Sequence, residues 1–129
     1  MIGVNESKLG VPITYLAHCL LRQLVGERHA REGVSSGTLY TPEEALQIGM
    51  VDGVFPCATV ISAAIQKTRA LGEMPGDAFA ENKRLGVQTT ESQVRSYLDE
   101  EITLFLEQWY SPVARQHLGD SLAKFTPRD

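Results

Sequence analysis

The stretch LYTPEEALQIGMVDGVFP, residues 39–56, is the most informative part of the chain because its turn residues stand at defined positions. Thr41 is a typical N-cap, and Glu44 three residues later completes a capping box at the start of a short helix. Gly49 is expected to end that helix in the left-handed conformation. Residues 50–55 then predict a brief strand or an extended segment.

Upstream, residues 3–13 read GVNESKLGVPI and place one carboxylate, Glu6, among small and apolar neighbours. From Pro12 onward, apolar residues recur at helical spacing until a plausible stop at Gly26. A shorter, polar helix is predicted over residues 28–36. Glu6 is therefore either a solvated turn residue or a general base held in apolar surroundings.

The rest of the chain is predicted to be helical. The expected helices cover residues 60–71, 78–85, 90–109 and 112–125. Asp77 is the expected cap of the second of these, and Thr89 or Thr90 is expected to open the third, which is the longest. The short extended segments at residues 1–4 and 50–55 lack enough partners for a stable sheet. The sequence is therefore interpreted as part of a larger domain.

Composition limits the classes of function. A chain of 129 residues suits one domain with a modest core, and 43% hydrophobic with 22% charged residues is ordinary for a globular protein. The net charge of −4 without a basic run argues against nucleic acid as a partner, although a local cationic site for one phosphorylated ligand stays open. No apolar run reaches the length of a membrane span, so no membrane partner is expected.

Cysteine and histidine spacing indicates neither a disulfide nor a metal site. Cys19 and Cys57 stand alone and are expected to be two buried, reduced thiols, which favours a cytoplasmic protein, or a mitochondrial or peroxisomal one in a eukaryote. His18 is interpreted as a packed histidine. His29 and His117 have no second ligand at metal spacing, so no metal is predicted.

The chain resembles the C-terminal half of the enoyl-CoA hydratase/isomerase (crotonase) superfamily in the order of its motifs. That order is the motif NESKLGVPI, an amphipathic helix and the motif TPEEALQIGMVDGVFP. The positions that match the second family motif are Gly37, Tyr40, Thr41, Glu44, Ala45, Gly49, Met50, Val51, Asp52, Val54 and Pro56. The resemblance covers nearly the whole chain but only about half of the family's domain. It implies a mostly α fold with short β segments, the C-terminal half of the crotonase-like α/β (ββα spiral) fold. Residues 1–57 would end the core, and residues 58–129 would form a helical oligomerisation region.

The resemblance places the family's catalytic glutamate at Glu6. Moving a double bond beside a thioester needs a base that takes and returns a proton, and donors for the enolate oxygen. Apolar neighbours such as Val4 and Val11 disfavour a charged carboxylate and suit that task. Asn5-Glu6, followed by a helix without glycines, resembles the delta3-delta2-enoyl-CoA isomerases. Hydratases usually follow this turn with a Gly-rich P-G-x-G-G segment, and a hydratase-type member is the alternative.

The resemblance also implies what this chain lacks. In the family, the two backbone N–H groups of the oxyanion hole and most of the pocket for the CoA nucleotide lie in the N-terminal half. The chain is therefore expected to be nearly inactive alone, as a fragment, a truncated product or one half of a split enzyme. The implied substrate is an acyl-CoA, no cofactor is expected, and a homo-oligomer, either a trimer or a dimer of trimers, is implied.

Two further residues fall near family positions that approach CoA bound to a neighbouring subunit. These are Trp109, which also ends an apolar stripe, and Lys124, which could equally be a solvated lysine. Glu100 and Glu101 are interpreted as a solvated helix face.

A different class of function is a stand-alone helical association module without catalysis. In that hypothesis Tyr97 and Leu104, which lie off the apolar stripe of the longest helix, bind a partner protein. The first residues, MIGV, read as the middle of a strand, which favours the enzyme fragment over the independent module.

Overall fold

The structure, a computed structural model, describes residues 1–124. Helices dominate, with two very short strands near the start. In chain order the elements are β1 (Ile2–Gly3), α1 (Glu6–Leu9), α2 (Tyr15–Ser36), β2 (Leu39–Tyr40), α3 (Pro42–Gln47), α4 (Val60–Gly72), α5 (Gly76–Trp109) and α6 (Pro112–Ala123). Phe125, expected on the last helix, lies outside the described residues.

The two strands pair with each other. β1 and β2 are antiparallel, with Ile2 opposite Tyr40 and Gly3 opposite Leu39. A Cβ on Gly3 would lie 2.3 Å from the carbonyl oxygen of Thr38, so only glycine fits this close approach. Residues 50–52 form a bend and residues 53–56 have no regular structure, so the strand alternative predicted for 50–55 does not form.

α2 contains both helices predicted upstream of residue 37. Thr14 caps it, accepting a hydrogen bond from the Ala17 amide at 3.3 Å. Gly26 interrupts the helical path with a φ of 75°, at the position predicted as a stop. Gly37 ends α2 in the left-handed conformation, with a φ of 59°. The break lets the second half of α2 fold back toward the start of the chain.

The capping box of α3 is confirmed. The Thr41 amide donates to Glu44 Oε2 at 2.8 Å, and the Glu44 amide donates to Thr41 Oγ1 at 3.2 Å. The backbone hydrogen bond from Thr41, followed by the one to its side chain, holds the pKa of Glu44 below its usual value. Gly49 follows with a φ of 78°, as expected for the end of this helix.

α5 corrects the prediction of two separate helices over residues 78–85 and 90–109. It runs unbroken from Gly76 to Trp109, and Pro75 rather than Asp77 occupies its N-cap position. Thr90 lies inside α5 and therefore does not cap a helix, and its hydroxyl accepts a hydrogen bond from Gln23 Nε2 of α2 at 2.6 Å. A threonine in a helix interior costs only about 0.7 kcal/mol relative to alanine. A hydrogen bond contributes about 0.5–1.5 kcal/mol net, which is comparable with that cost.

The core is small and centred on α2. Leu21, Val25 and Ala30 form a buried cluster. Partly buried residues packed against the cluster are Val4, Val34, Ile48 and Met50. By contrast, the large apolar residues of α4 stay exposed, including Ile61 at 68%. None of the helices within residues 1–124 is long and apolar enough to cross a membrane.

Candidate active site

Glu6 is the first residue of α1, a single helical turn between β1 and α2. Gly10 closes the turn in the left-handed conformation with a φ of 72°, and its N–H donates to the Glu6 carbonyl. The Val11 N–H donates to the same carbonyl at 3.1 Å. The backbone at Glu6 is therefore tied to both residues that follow α1.

The end of α2 holds this turn from one side. The Ser7 hydroxyl donates to the Val34 carbonyl at 2.6 Å. A Cβ on Gly37 would lie 3.0 Å from Lys8 Cγ and 3.4 Å from Asn5 Cα, so α1 and the end of α2 approach each other closely. The turn is thus anchored to the long helix that carries the buried cluster of the core.

The Glu6 carboxylate has an unusual environment. The residue is half-buried, and its Oε2 atom is fully buried without a hydrogen-bond partner. Among residues 1–124, no other buried side-chain nitrogen or oxygen is left unpaired in this way. Buried polar atoms are nearly always paired, so an exception points to strain, an absent ligand or a catalytic role. The burial of Oε2 argues against the interpretation of Glu6 as a fully solvated turn residue.

A cavity of about 380 Å³ lies against α2 and α5. Its lining residues are Ile13, Tyr15, His18, Val34, Tyr97, Glu100, Glu101 and Leu104. Val34 connects the cavity to α1, because its carbonyl accepts the Ser7 hydrogen bond. The cavity therefore lies between the two halves of α2 and α5, and Glu6 is not one of its lining residues.

Tyr97 and Leu104, the residues expected to bind a partner in the association-module hypothesis, both line this cavity. The Tyr97 ring meets the Tyr15 ring at a centroid distance of 5.2 Å and an interplanar angle of 57°. The hydrogen bond with the Cys19 thiol, and then burial, raise the pKa of the Tyr15 hydroxyl. Cys19 is buried as expected, whereas the prediction of a buried Cys57 is wrong, because Cys57 is exposed in the turn before α4.

Glu101 corrects the interpretation of a solvated acidic face. It is half-buried, and its Oε1 accepts a hydrogen bond from the Tyr15 amide at the first residue of α2. Helix N-terminal amides have no partner within their own helix, so a carboxylate from α5 is well placed there. Sequence reasoning missed this role, although Tyr97 and Glu101 are four residues apart and therefore share one face of α5.

We expect Glu101→Ala to lower the free energy of unfolding by about 1 kcal/mol, because it removes the capping acceptor at the start of α2. The neighbouring exposed Glu100 is the matched control, and Glu100→Ala should change stability by less than about 0.5 kcal/mol. Urea unfolding of both variants measures the difference. Equal losses from the two changes would contradict the capping role.

Trp109 and Lys124, the candidate CoA contacts, are not brought together. Trp109 is half-buried at the end of α5 and stacks on Phe105, with ring centroids 5.7 Å apart. Lys124 is exposed at the C-cap of α6. The length of α6 separates them, about 18 Å at 1.5 Å per residue.

His18 and His29 lie in different surroundings. His18 lines the cavity, and His29 Nδ1 lies 3.2 Å from the Val25 carbonyl oxygen. Within the described part of the chain, no three His, Cys, Asp or Glu side chains come together as metal ligands.

Comparison with known proteins identifies relatives of the whole chain. The model of a family described as enoyl-CoA hydratase/isomerase matches residues 1–126. Enoyl-CoA delta isomerase 1, mitochondrial, from Homo sapiens is 28% identical over 127 residues, which cover 98% of this chain and 41% of that protein. The Mus musculus protein of the same name is 40% identical over 63 residues, 49% of this chain and 22% of that protein. The chain thus spans less than half the length of the curated relatives it matches.

Solved structures show the same fold. Human mitochondrial delta3-delta2-enoyl-CoA isomerase superposes with a TM-score of 0.86 at 28% identity, covering 95% of this chain and 48% of that chain. An enoyl-CoA hydratase/isomerase from Pseudoalteromonas atlantica T6c superposes with a TM-score of 0.78 at 20% identity, covering 95% of this chain and 50% of that chain. The predicted fold class, half of the crotonase-like fold with mostly helices and short strands, is confirmed.

Proposed function

The chain belongs to the enoyl-CoA hydratase/isomerase family, and on that premise we propose that it carries the proton-shuttling glutamate of an enoyl-CoA isomerase. The observation that carries the proposal is the buried Glu6 Oε2 without a hydrogen-bond partner. An acceptor left unpaired by its own chain is available to a proton of the substrate. The likeness to enoyl-CoA delta isomerase 1 favours isomerisation over hydration.

In the proposed reaction, Glu6 removes a proton from the carbon next to the thioester carbonyl of a 3-enoyl-CoA. The electron pair of that C–H bond delocalises into the carbonyl, which gives a dienolate. Glu6 then returns the proton two carbons along, and the double bond moves from position 3 to position 2. No atom is gained or lost and no redox change occurs, so the step needs no cofactor.

The dienolate oxygen needs hydrogen-bond donors, which the family resemblance assigns to the other half of the domain. Loss of one such donor typically costs about a hundred- to a thousandfold in rate. We therefore propose that Glu6 acts only when a complementary N-terminal half supplies these donors. The cavity between the two halves of α2 and α5 offers largely apolar surface for the acyl part of the substrate.

The remaining assignments are part of the same proposal. Trp109 and Lys124 would approach the CoA part of a substrate held by a neighbouring copy in a homo-oligomer, either a trimer or a dimer of trimers. The human relative is named as mitochondrial, which is one of the compartments expected for this chain. Residues 1–57 would carry the catalytic turn, and residues 58–129 would supply the helices of the interface.

The test uses a completed enzyme, defined as this chain preceded in one polypeptide by the part of human enoyl-CoA delta isomerase 1 that lies before the matched segment. The substrate is a 3-enoyl-CoA, and the products are separated and their masses are measured by mass spectrometry. We expect an isomer of unchanged mass with a conjugated double bond from the completed enzyme, and very little from the 129-residue chain alone.

Other outcomes would contradict the proposal. A product heavier by one water would indicate a hydratase. A completed enzyme that has native circular dichroism and a defined oligomeric mass, but no turnover, would favour a non-catalytic association module. If the fused polypeptide does not fold, the two halves are coexpressed and assayed as a complex.

A further inference from the structure

The turn that carries Glu6 is supported from a second side by the last helix of the chain. α1 packs against α6 as well as against α2. A Cβ on Gly10 would lie 3.5 Å from both Ala114 Cα and Val113 Cγ1, an ordinary van der Waals distance, so the backbone of the turn faces the first residues of α6 with room for little more than a methyl group between them. The contact joins residues about a hundred positions apart in sequence.

The α6 side of this contact is held in place. Ala114 is fully buried, with 0% of its surface exposed. Its N–H donates to the Ser111 hydroxyl at 3.2 Å, so the N-cap that starts α6 also fixes the position of Ala114. The backbone of this small, buried residue therefore has little freedom to move away from the turn.

The α1 side of the contact leads directly to Glu6. Gly10 meets α6, and its N–H donates to the Glu6 carbonyl. Val11, only 6% exposed, donates a second hydrogen bond to that carbonyl at 3.1 Å. These hydrogen bonds couple a displacement of Gly10 to the backbone from which the Glu6 carboxylate extends.

We infer that Ala114 is a positioning residue for Glu6, and that α6 sets the placement of the carboxylate through the contact with Gly10. The inference rests on the proposed function of Glu6. It assigns α6 a role in the reaction within its own chain, beyond the interface role proposed for the C-terminal helices. A larger residue at 114 would displace the turn, whereas a residue of nearly the same size would leave it in place.

The experiment measures kcat and KM of the completed enzyme carrying Ala114→Val. We expect kcat to fall about tenfold or more with KM changed less than about twofold, because a 1 Å misplacement near the chemistry can cost about a hundredfold in rate. Ala114→Ser should retain kcat. The matched control is Ala123→Val, the same change at an exposed position at the end of α6. Rates are corrected for the folded fraction.

A loss that merely tracks the folded fraction, or one that Ala123→Val reproduces, would overturn the inference. A different result tests the proposed function itself, which is contradicted if Glu6→Gln leaves activity intact. If Ala114→Val does not fold, Ser111→Ala takes its place. This variant removes the hydroxyl that accepts the Ala114 N–H at the start of α6, and it adds no volume. Ser111→Ala should lower kcat, whereas Ser111→Thr, which keeps a hydroxyl, should retain it. An unchanged kcat in both variants would overturn the inference.

A second readout needs only the 129-residue chain. Amide hydrogen exchange of Gly10 and Val11 reports the two hydrogen bonds that hold the Glu6 carbonyl. Ala114→Val or Ser111→Ala should speed exchange at these two amides well beyond its effect on α3, which lies elsewhere in the chain. Uniform acceleration at all amides would indicate a general loss of stability and would count against positioning.

Discussion

Glu6→Gln is expected to lower kcat of the completed enzyme by about 10²- to 10⁴-fold, the range typical for loss of a general acid–base group. Glutamine keeps the size of the side chain but cannot take up and return a proton. KM should change little, because the substitution removes a group that acts in the transition state. The measurement is steady-state kinetics with a 3-enoyl-CoA.

The matched control is Glu43→Gln, which makes the same chemical change at an exposed position on α3. It should leave both kcat and KM unchanged. Because Glu6 Oε2 has no hydrogen-bond partner to lose, Glu6→Gln should also change the free energy of unfolding of the 129-residue chain by less than about 1 kcal/mol. A loss of activity matched by an equal loss of folded protein would contradict the catalytic assignment.

Leu21→Ala is expected to lower the free energy of unfolding by about 2–5 kcal/mol, the range for a leucine removed from a packed core. Leu21 is 7% exposed and forms the buried cluster together with Val25 and Ala30. Val4 and Val34, which flank the Glu6 turn, pack against that cluster. In so small a core the lost contacts are a large fraction of the total, and the variant should be largely unfolded at room temperature.

Leu24→Ala is the control for this change, since Leu24 lies on the same helix and is 58% exposed. It should alter stability by less than about 0.5 kcal/mol. Circular dichroism during urea titration compares the two variants with the unmodified chain. Similar midpoints for Leu21→Ala and Leu24→Ala would mean that the cluster does not hold α2 against the turn.

Local signals in the sequence predicted several elements well, because the residues that make them are close together in the chain. The capping box of Thr41 and Glu44, the left-handed Gly49 and the break at Gly26 each depend on a few consecutive residues. The prediction for α5 was wrong in length because the residues next to Thr90 in the sequence indicated a helix start there. The Thr90 hydroxyl accepts a hydrogen bond from Gln23, which is 67 positions away.

The sequence by itself determined the family, the mostly helical fold and the position of the candidate base, because ordered motifs and helical periodicity are properties of consecutive residues. Only the tertiary structure decided that Glu6 Oε2 is buried without a partner, that Glu101 accepts a hydrogen bond from the first amide of α2, and that Ala114 lies near Gly10. Those facts arise where distant segments pack together. Burial and close approach depend on which faces meet, and no local pattern in the chain encodes that.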